Sequence, residues 1–206
     1  MPTDDRALPL RERKRIRTRR ALADAALRLF TEKGFAATTV EELVDAAEVS
    51  RSTFFRAFAT KEAVAIEAET ELWTGYLDTL AEREFTGSIL AALRDVLVDT
   101  ATELPADWDE RYIATRRLVI TAPSLLGHLS YARSGVEAQV VEQLSRKLAL
   151  PDGDLRPRIL AETATTAWSI AGRGWVASDG KGGRAELVRR LHESFAAVPE
   201  ALRLSA

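Results

Sequence analysis

The chain has 206 residues and 22.7 kDa, is 46% hydrophobic, carries a net charge of −2 and contains no cysteine. That length holds one large domain or a small one beside a larger one, and the missing cysteines exclude a disulfide framework or a thiolate metal site. There is no run of 18 apolar residues and no charged-then-apolar leader, so a cytoplasmic protein is expected.

A net negative charge argues against nucleic acid only if the charge is evenly spread. Residues 1–61 hold 13 Lys+Arg against 9 Asp+Glu, a balance of +4, and the remaining 16 against 22 give −6. A basic head of this kind binds phosphate while an acidic body limits adhesion to DNA elsewhere.

Residues 1–9 are polar with two prolines and are expected to be poorly ordered. Arg11 to Arg20 has seven basic side chains and one acid, and runs into an amphipathic pattern with Leu22, Ala25, Ala26, Leu29 and Phe30 on one side. A solvated helix face would explain the charge, but its place beside the next element favours a phosphate or minor-groove contact, with Arg17 as a candidate. Gly34 closes this helix, and Phe35 can pack back over its end.

The stretch from 38 to 61 reads as two short helices at a fixed angle with one face free. Thr39 and Glu42 have the spacing of a capping box, and Val40, Leu43, Val44 and Ala47 form one apolar stripe. Ser50 offers a second cap, and Phe54 and Phe58, one turn apart, give the second helix its inward face. At about 100° per residue, Arg51, Ser52, Phe55 and Arg56 point outward. Two guanidiniums and a hydroxyl on a short rigid helix suit a DNA major groove, where Arg reads guanine edges and Ser reaches bases or phosphate.

From Thr18 to about Lys61, with GFAATTVEELVDAAEVSRSTFFRAF followed by TKEAV, the chain resembles the amino-terminal domain of TetR-family transcriptional regulators. The resemblance implies a helix-turn-helix head with Arg17, Thr39, Arg51, Ser52, Thr53, Phe55, Arg56 and Lys61 as DNA-binding candidates. Three positions depart from the family pattern. Glu48 replaces the usual turn glycine, which places a side chain at positive φ. Phe55 lacks the hydroxyl of a phosphate-bonding tyrosine, so its contact is apolar, for example with a thymine methyl. Ala57 stands where a histidine or tyrosine often touches the backbone, which leaves more of that work to Lys61 and the basic arm.

Past Thr60, a third cap, Ile66, Trp73, Leu77 and Leu80 keep helical spacing and predict one long helix leading into the body. Ile89, Leu93, Val96, Leu97, Thr100 and Leu104 predict the next, which Pro105 ends; Trp108, Tyr112, Arg116 and Val119 line another, which Pro123 bends or stops. Val136, Val140, Leu144 and Leu148 mark a further helix, and LPDGD at 150–154 is the clearest loop. The last two helices, about 155–177 and 184–197, alternate Ala164, Ala167, Ala171, Gly172 and Gly174 with Trp168 and Trp175, so they can approach closely. The family pairs its last two helices with those of a second subunit, and the resemblance implies the same here. Burial within one chain is the plainer alternative.

Catalytic patterns are missing. DGKGG at 179–183 lacks phosphate-loop spacing, His128 and His192 sit in no ligand pair, no GxSxG turn occurs, and carboxylates lie on helix surfaces without Glu-x-x-His pairs. No metal and no cofactor is expected, and the chain is not read as an enzyme. Trp73, Trp108, Tyr112, Arg116, Tyr131 and Trp168 instead set polar tips on apolar stripes, which suits an amphipathic ligand between helices; Arg116 facing a pocket would hold a carboxylate or phosphate. RRLVITAPSLLGHL and LPDGDLRPRIL are similar to TetR regulators with acyl-CoA-like or other apolar acid ligands.

The expectation is an all-α homodimer with a helix-turn-helix DNA-binding domain at 1–60 and a ligand-binding and dimerisation domain at 61–206. It would act as a repressor released from a pseudo-palindromic operator by a small amphipathic or apolar effector. A helical small-molecule-binding or scaffold protein without operator binding is the alternative, supported by Phe55 and Ala57.

Overall fold

The computed structural model describes residues 9–205, and every regular element among them is helical. In chain order these are α1 (Leu10–Lys33), α2 (Val40–Ala46), α3 (Arg51–Ala57), α4 (Lys61–Ala65), α5 (Glu67–Glu82), α6 (Ile89–Glu103), α7 (Trp108–Thr121), α8 (Pro123–Lys147), α9 (Arg156–Ala177) and α10 (Gly183–Ala201). None of the described helices is long and apolar enough to cross a membrane. Packing groups them into two compact units: residues up to Thr70 with Pro105–Ser130, and Glu71–Leu104 with the chain from Tyr131 on.

In the first unit the local signals act as their chemistry dictates. Leu22, Ala25, Ala26, Leu29 and Phe30 are all buried, Gly34 ends α1 at φ 87°, and Phe35 packs on Phe30 with ring centroids 5.0 Å apart. Thr39 Oγ1 accepts from the Glu42 amide at 3.2 Å while Glu42 accepts from the Thr39 amide at 2.9 Å, so two orphan donors at the start of α2 are satisfied reciprocally. The Lys33 ammonium and the Thr39 amide hold the Glu42 carboxyl at about 2, well below the ordinary carboxylate range. Ser50 and Thr60 cap α3 and α4 through the amides of Thr53 and Ala63.

Between α2 and α3, Glu48 sits at φ 52°, as its place in the turn predicts. A Cβ in that region costs about 1–2 kcal/mol, partly offset because glycine would free the unfolded chain by about 0.4–1 kcal/mol. Glu48→Gly is therefore expected to raise the thermal unfolding midpoint, by about 0.5–1 kcal/mol in stability. A midpoint at or below that of the native chain would remove the backbone strain from the account.

The single long helix expected after Thr60 is instead two. The backbone leaves helical angles at Ile66 (φ −105°, ψ 20°), which separates the one-turn α4 from α5. Residues 64–69 are all buried, Glu67 and Glu69 included, so contacts on every side set the backbone there rather than one apolar stripe. Arg19 of α1 binds the Glu67 carboxylate through Nε and Nη2, donates to the Ala57 carbonyl, and lies 4.2 Å over the Phe58 ring. Arg116 of α7 donates to Glu69 at 3.0 Å. The Trp108 indole donates to the Ala68 carbonyl at 2.8 Å and the Thr115 hydroxyl to that of Ala65 at 3.3 Å, fixing α7 along the same segment.

In the second unit α9 and α10 lie against one another and against α6. Ala164, Ala167, Ala171 and Gly172 are buried beside Trp168 and Trp175, the close approach that their small side chains predict. At Gly174 an added Cβ would come within 2.6 Å of Arg190 Nη1, so this glycine leaves room for the guanidinium. Arg184 of α10 donates to the carbonyls of Ala101 and Leu104, satisfying acceptors at the end of α6. The turn from 178 to 183 reverses the chain with Asp179, Gly180, Gly182 and Gly183 at positive φ, and α10 continues past its expected end through Pro199.

Candidate nucleic-acid interface

The outward face of α3 is built from within. Phe54 and Phe58 are buried, with ring centroids 6.1 Å apart, whereas Arg51, Ser52, Phe55 and Arg56 are exposed. Phe55 stands edge-on to Phe54 at 5.2 Å and is 46% exposed. Arg56 Nη2 donates to Thr53 Oγ1 at 3.2 Å, and Arg51 is paired with Glu41 and lies 5.5 Å from the Phe55 ring centroid. Both guanidiniums thus stand on the free face in exposed, weakly held positions. The Ser52 and Thr53 hydroxyls are each about one hydrogen bond from Ser50 Oγ, at 3.0 and 2.9 Å.

Around α3 the other candidates divide into exposed and engaged groups. Arg17 is exposed on α1, as are Arg11, Lys14 and Arg15, although Arg15 is paired with Glu12 at 2.5 Å. Arg19 and Arg20, from the same basic run, turn to carboxylates inside the unit, Glu67 and Asp107. Thr39 is exposed while its hydroxyl caps α2. The Lys61 ammonium donates to the carbonyls of Phe35 and Thr38 at 2.8 and 2.9 Å and lies 4.3 Å over the Phe35 ring. It closes the loop after α1 from inside the protein.

The six ligand candidates do not form one group. Trp108 and Tyr112 are stacked at 4.6 Å in the core of the first unit, and Arg116 already faces the buried Glu69 there. Trp73 and Trp168 meet at 6.0 Å in the second unit. Tyr131 is 81% exposed and lines no interior: it lies five residues, about 140° of helix, from Val136, whose side the core takes. Two surface clefts of about 380 and 310 Å³ are present, and none of the six residues lines either.

Tyr76 and Gln143, which the sequence reading passed over, stand out in the second unit. The Tyr76 hydroxyl and Gln143 Oε1 are buried without a hydrogen-bond partner, and burial pushes the Tyr76 phenol far above its usual value. Tyr76 lies one turn from Trp73 on the same stripe, a signal that was available; nothing in the local pattern marks Gln143.

Comparison with known proteins agrees with this geometry. The family model for bacterial regulatory proteins of the tetR family matches residues 22–68, and that for the MftR C-terminal domain matches residues 87–203. The chain is 32% identical over 172 residues to the HTH-type transcriptional regulator TcmR of Streptomyces glaucescens, covering 81% of this chain and 76% of that protein. Among solved structures, Thermus thermophilus FadR, a TetR-family repressor in complex with lauroyl-CoA, superposes with a TM-score of 0.55 at 21% identity, covering 91% of this chain and 96% of that one. Salmonella enterica GusR superposes with a TM-score of 0.55 at 17% identity, covering 91% and 96%. The two matched segments cover residues 22–68 and 87–203, and the proteins that these models and this relative describe are transcriptional regulators rather than enzymes. The chain belongs to the TetR family of bacterial transcriptional regulators.

Proposed function

We propose that the protein is a dimeric, ligand-responsive repressor in the cytoplasm, with a DNA-binding head at 1–60 and an effector and dimerisation body at 61–206. The observation that carries the DNA reading is the exposed α3 face of Arg51, Ser52, Phe55 and Arg56, propped on buried Phe54 and Phe58. Arg56 and Arg51 read base edges in the major groove, Phe55 makes the apolar contact, and Ser52, Thr53, Thr39 and Arg17 hold phosphate. Lys61 adds its charge from its seat on the Phe35 and Thr38 carbonyls.

Dimerisation rests on α9 and α10. Ile159 and Ile170 are 61% and 50% exposed, and with Thr163, Ala167, Ser194 and Val198 they line the cleft of about 310 Å³. A twofold pairing there covers the exposed isoleucines, and a pseudo-palindromic operator presents its half-sites to the two α3 helices about 34–36 Å apart. The effector is a small molecule; FadR of Thermus thermophilus was solved with lauroyl-CoA. It favours a body conformation with another spacing, and by linkage operator DNA weakens effector binding by the same factor.

A salt-dependent gel shift on the duplex flanking the protein's own coding region tests this reading, since the alternative of a ligand-binding protein without operator affinity predicts no specific shift. In the same assay Arg56→Ala is expected to lower affinity for the operator by about 1–3 kcal/mol and leave random duplex nearly unaffected. Equal losses on both would assign Arg56 to phosphate.

A further inference from the structure

The two guanidiniums on the outward face of α3 are set against different groups. Arg56 meets a neutral one, the Thr53 hydroxyl, at 3.2 Å. Arg51, the first residue of α3, instead donates from Nη1 to the carboxylate of Glu41 in the first turn of α2, and its Cζ lies 5.5 Å from the centroid of the Phe55 ring. Phe55 in turn stands on buried Phe54, so the guanidinium is held between an anion and a ring that the core supports. The capping box of α2 is closed by Thr39 and Glu42, without Glu41. A carboxylate in a first turn favours the helix through its dipole. This one also lies within a hydrogen bond of the face that meets a polyanion, where it repels phosphate. α2 has no basic residue to offset it, and Asp45, one turn beyond Glu41, is exposed as well.

Phosphate is the same in every sequence, whereas the edge of a base is not. A free guanidinium beside the backbone strengthens binding to any duplex and makes it steeper in salt through counterion release. A guanidinium already bound to a carboxylate gains little by exchanging it for a phosphate, since one oxyanion replaces another. It gains more where guanine offers O6 and N7 together, because five N–H donors let it meet a base while it keeps the carboxylate. Glu41 accepts from Nη1, and Nε and Nη2 form the edge that remains for the base.

We propose that Glu41 is a positioning residue for DNA recognition: it neutralises Arg51 towards phosphate and holds its guanidinium for a guanine edge, so that Arg51 contributes to operator binding and hardly at all to binding of random sequence. The proposal rests on the reading of α3 as the helix that enters the groove, and adds Glu41 of α2 to it. Both side chains are largely exposed, so the pair is weak and its effect on discrimination is modest.

Glu41→Gln keeps the shape and removes the charge. It is tested in the full chain by fluorescence anisotropy against the duplex that shifts specifically and a scrambled duplex of equal length, over a series of salt concentrations. The variant is expected to bind the scrambled duplex about fivefold more tightly at low salt and the specific duplex with nearly native affinity. Its salt slope on scrambled DNA is expected to steepen by about one for each subunit engaged. In an Arg51→Ala background the same substitution is expected to leave the ratio of affinities and the slope unchanged, because the cation that it releases is gone. Equal tightening on both duplexes would show that Glu41 acts only as a charge, and a native ratio would show that it is silent. A change that persists without Arg51 would show that Glu41 meets the DNA itself. Each of these three results overturns the proposal. A native protein that does not distinguish the two duplexes would remove the reading of α3 as well, whereas native discrimination with any of the three removes the role of Glu41 alone.

Discussion

Ile170→Glu is expected to convert the protein from dimer to monomer in sedimentation and to weaken operator binding about 10²–10⁴-fold. Ile170 is 50% exposed on α9 and shares a cleft with Ile159, Ala167 and Val198, so a carboxylate there stays hydrated in the single chain and leaves its fold nearly unchanged. In a twofold interface the same carboxylate is buried twice, each copy near its mate, at a cost of several kcal/mol per unpaired ion. Two linked recognition helices bind their half-sites as one unit, and separating them forfeits the effective concentration that the linkage supplies. Ile170→Ala serves as the milder companion, expected to weaken the dimer without abolishing it. A dimer of native strength carrying glutamate at 170 would place the interface elsewhere.

Arg19→Met is expected to destabilise the protein by about 3 kcal/mol in urea unfolding, at the lower end for a broken buried pair because the arginine side chain is 29% exposed. Its guanidinium pairs with Glu67, 7% exposed, and it also holds the Ala57 carbonyl at the end of α3 and covers Phe58. Losing it takes a paired cation from a buried carboxylate and a donor from a carbonyl in one step. The double variant Arg19→Met with Glu67→Met removes the orphaned charge and is expected to recover most of the loss, since well-packed apolar groups often replace a buried pair without penalty. A double variant as unstable as the single one would show that packing around the guanidinium, not its charge, matters. Because the pair joins α1 and the end of α3 to the start of α5, weakening it is also expected to blunt operator binding.

The head was legible in the sequence because its determinants are local. The Thr39 to Glu42 capping box, the Ser50 and Thr60 caps, the inward Phe54 and Phe58 and the strained turn at Glu48 each depend on residues within about one helical turn, and each is found as the spacing dictates. Helix order in the body followed for the same reason, from apolar stripes and from the prolines at 105 and 123.

The partners of these side chains were not legible, because they depend on residues far apart in the chain. Arg116 looks free until Glu69, 47 residues away, is brought beside it, and nothing near Lys61 in the sequence marks the Phe35 and Thr38 carbonyls that its ammonium meets. The break at Ile66 follows from burial on all sides, and the seat of Gln143 on the Leu77 carbonyl exists only because α8 meets α5 there. The sequence by itself determined the helices, their caps and the face that α3 leaves exposed, since backbone hydrogen bonding and helical phase are set within a turn or two. Only the tertiary structure decided which charges are neutralised and which polar atoms stay open, because electrostatic and hydrogen-bond partners are chosen by proximity in space.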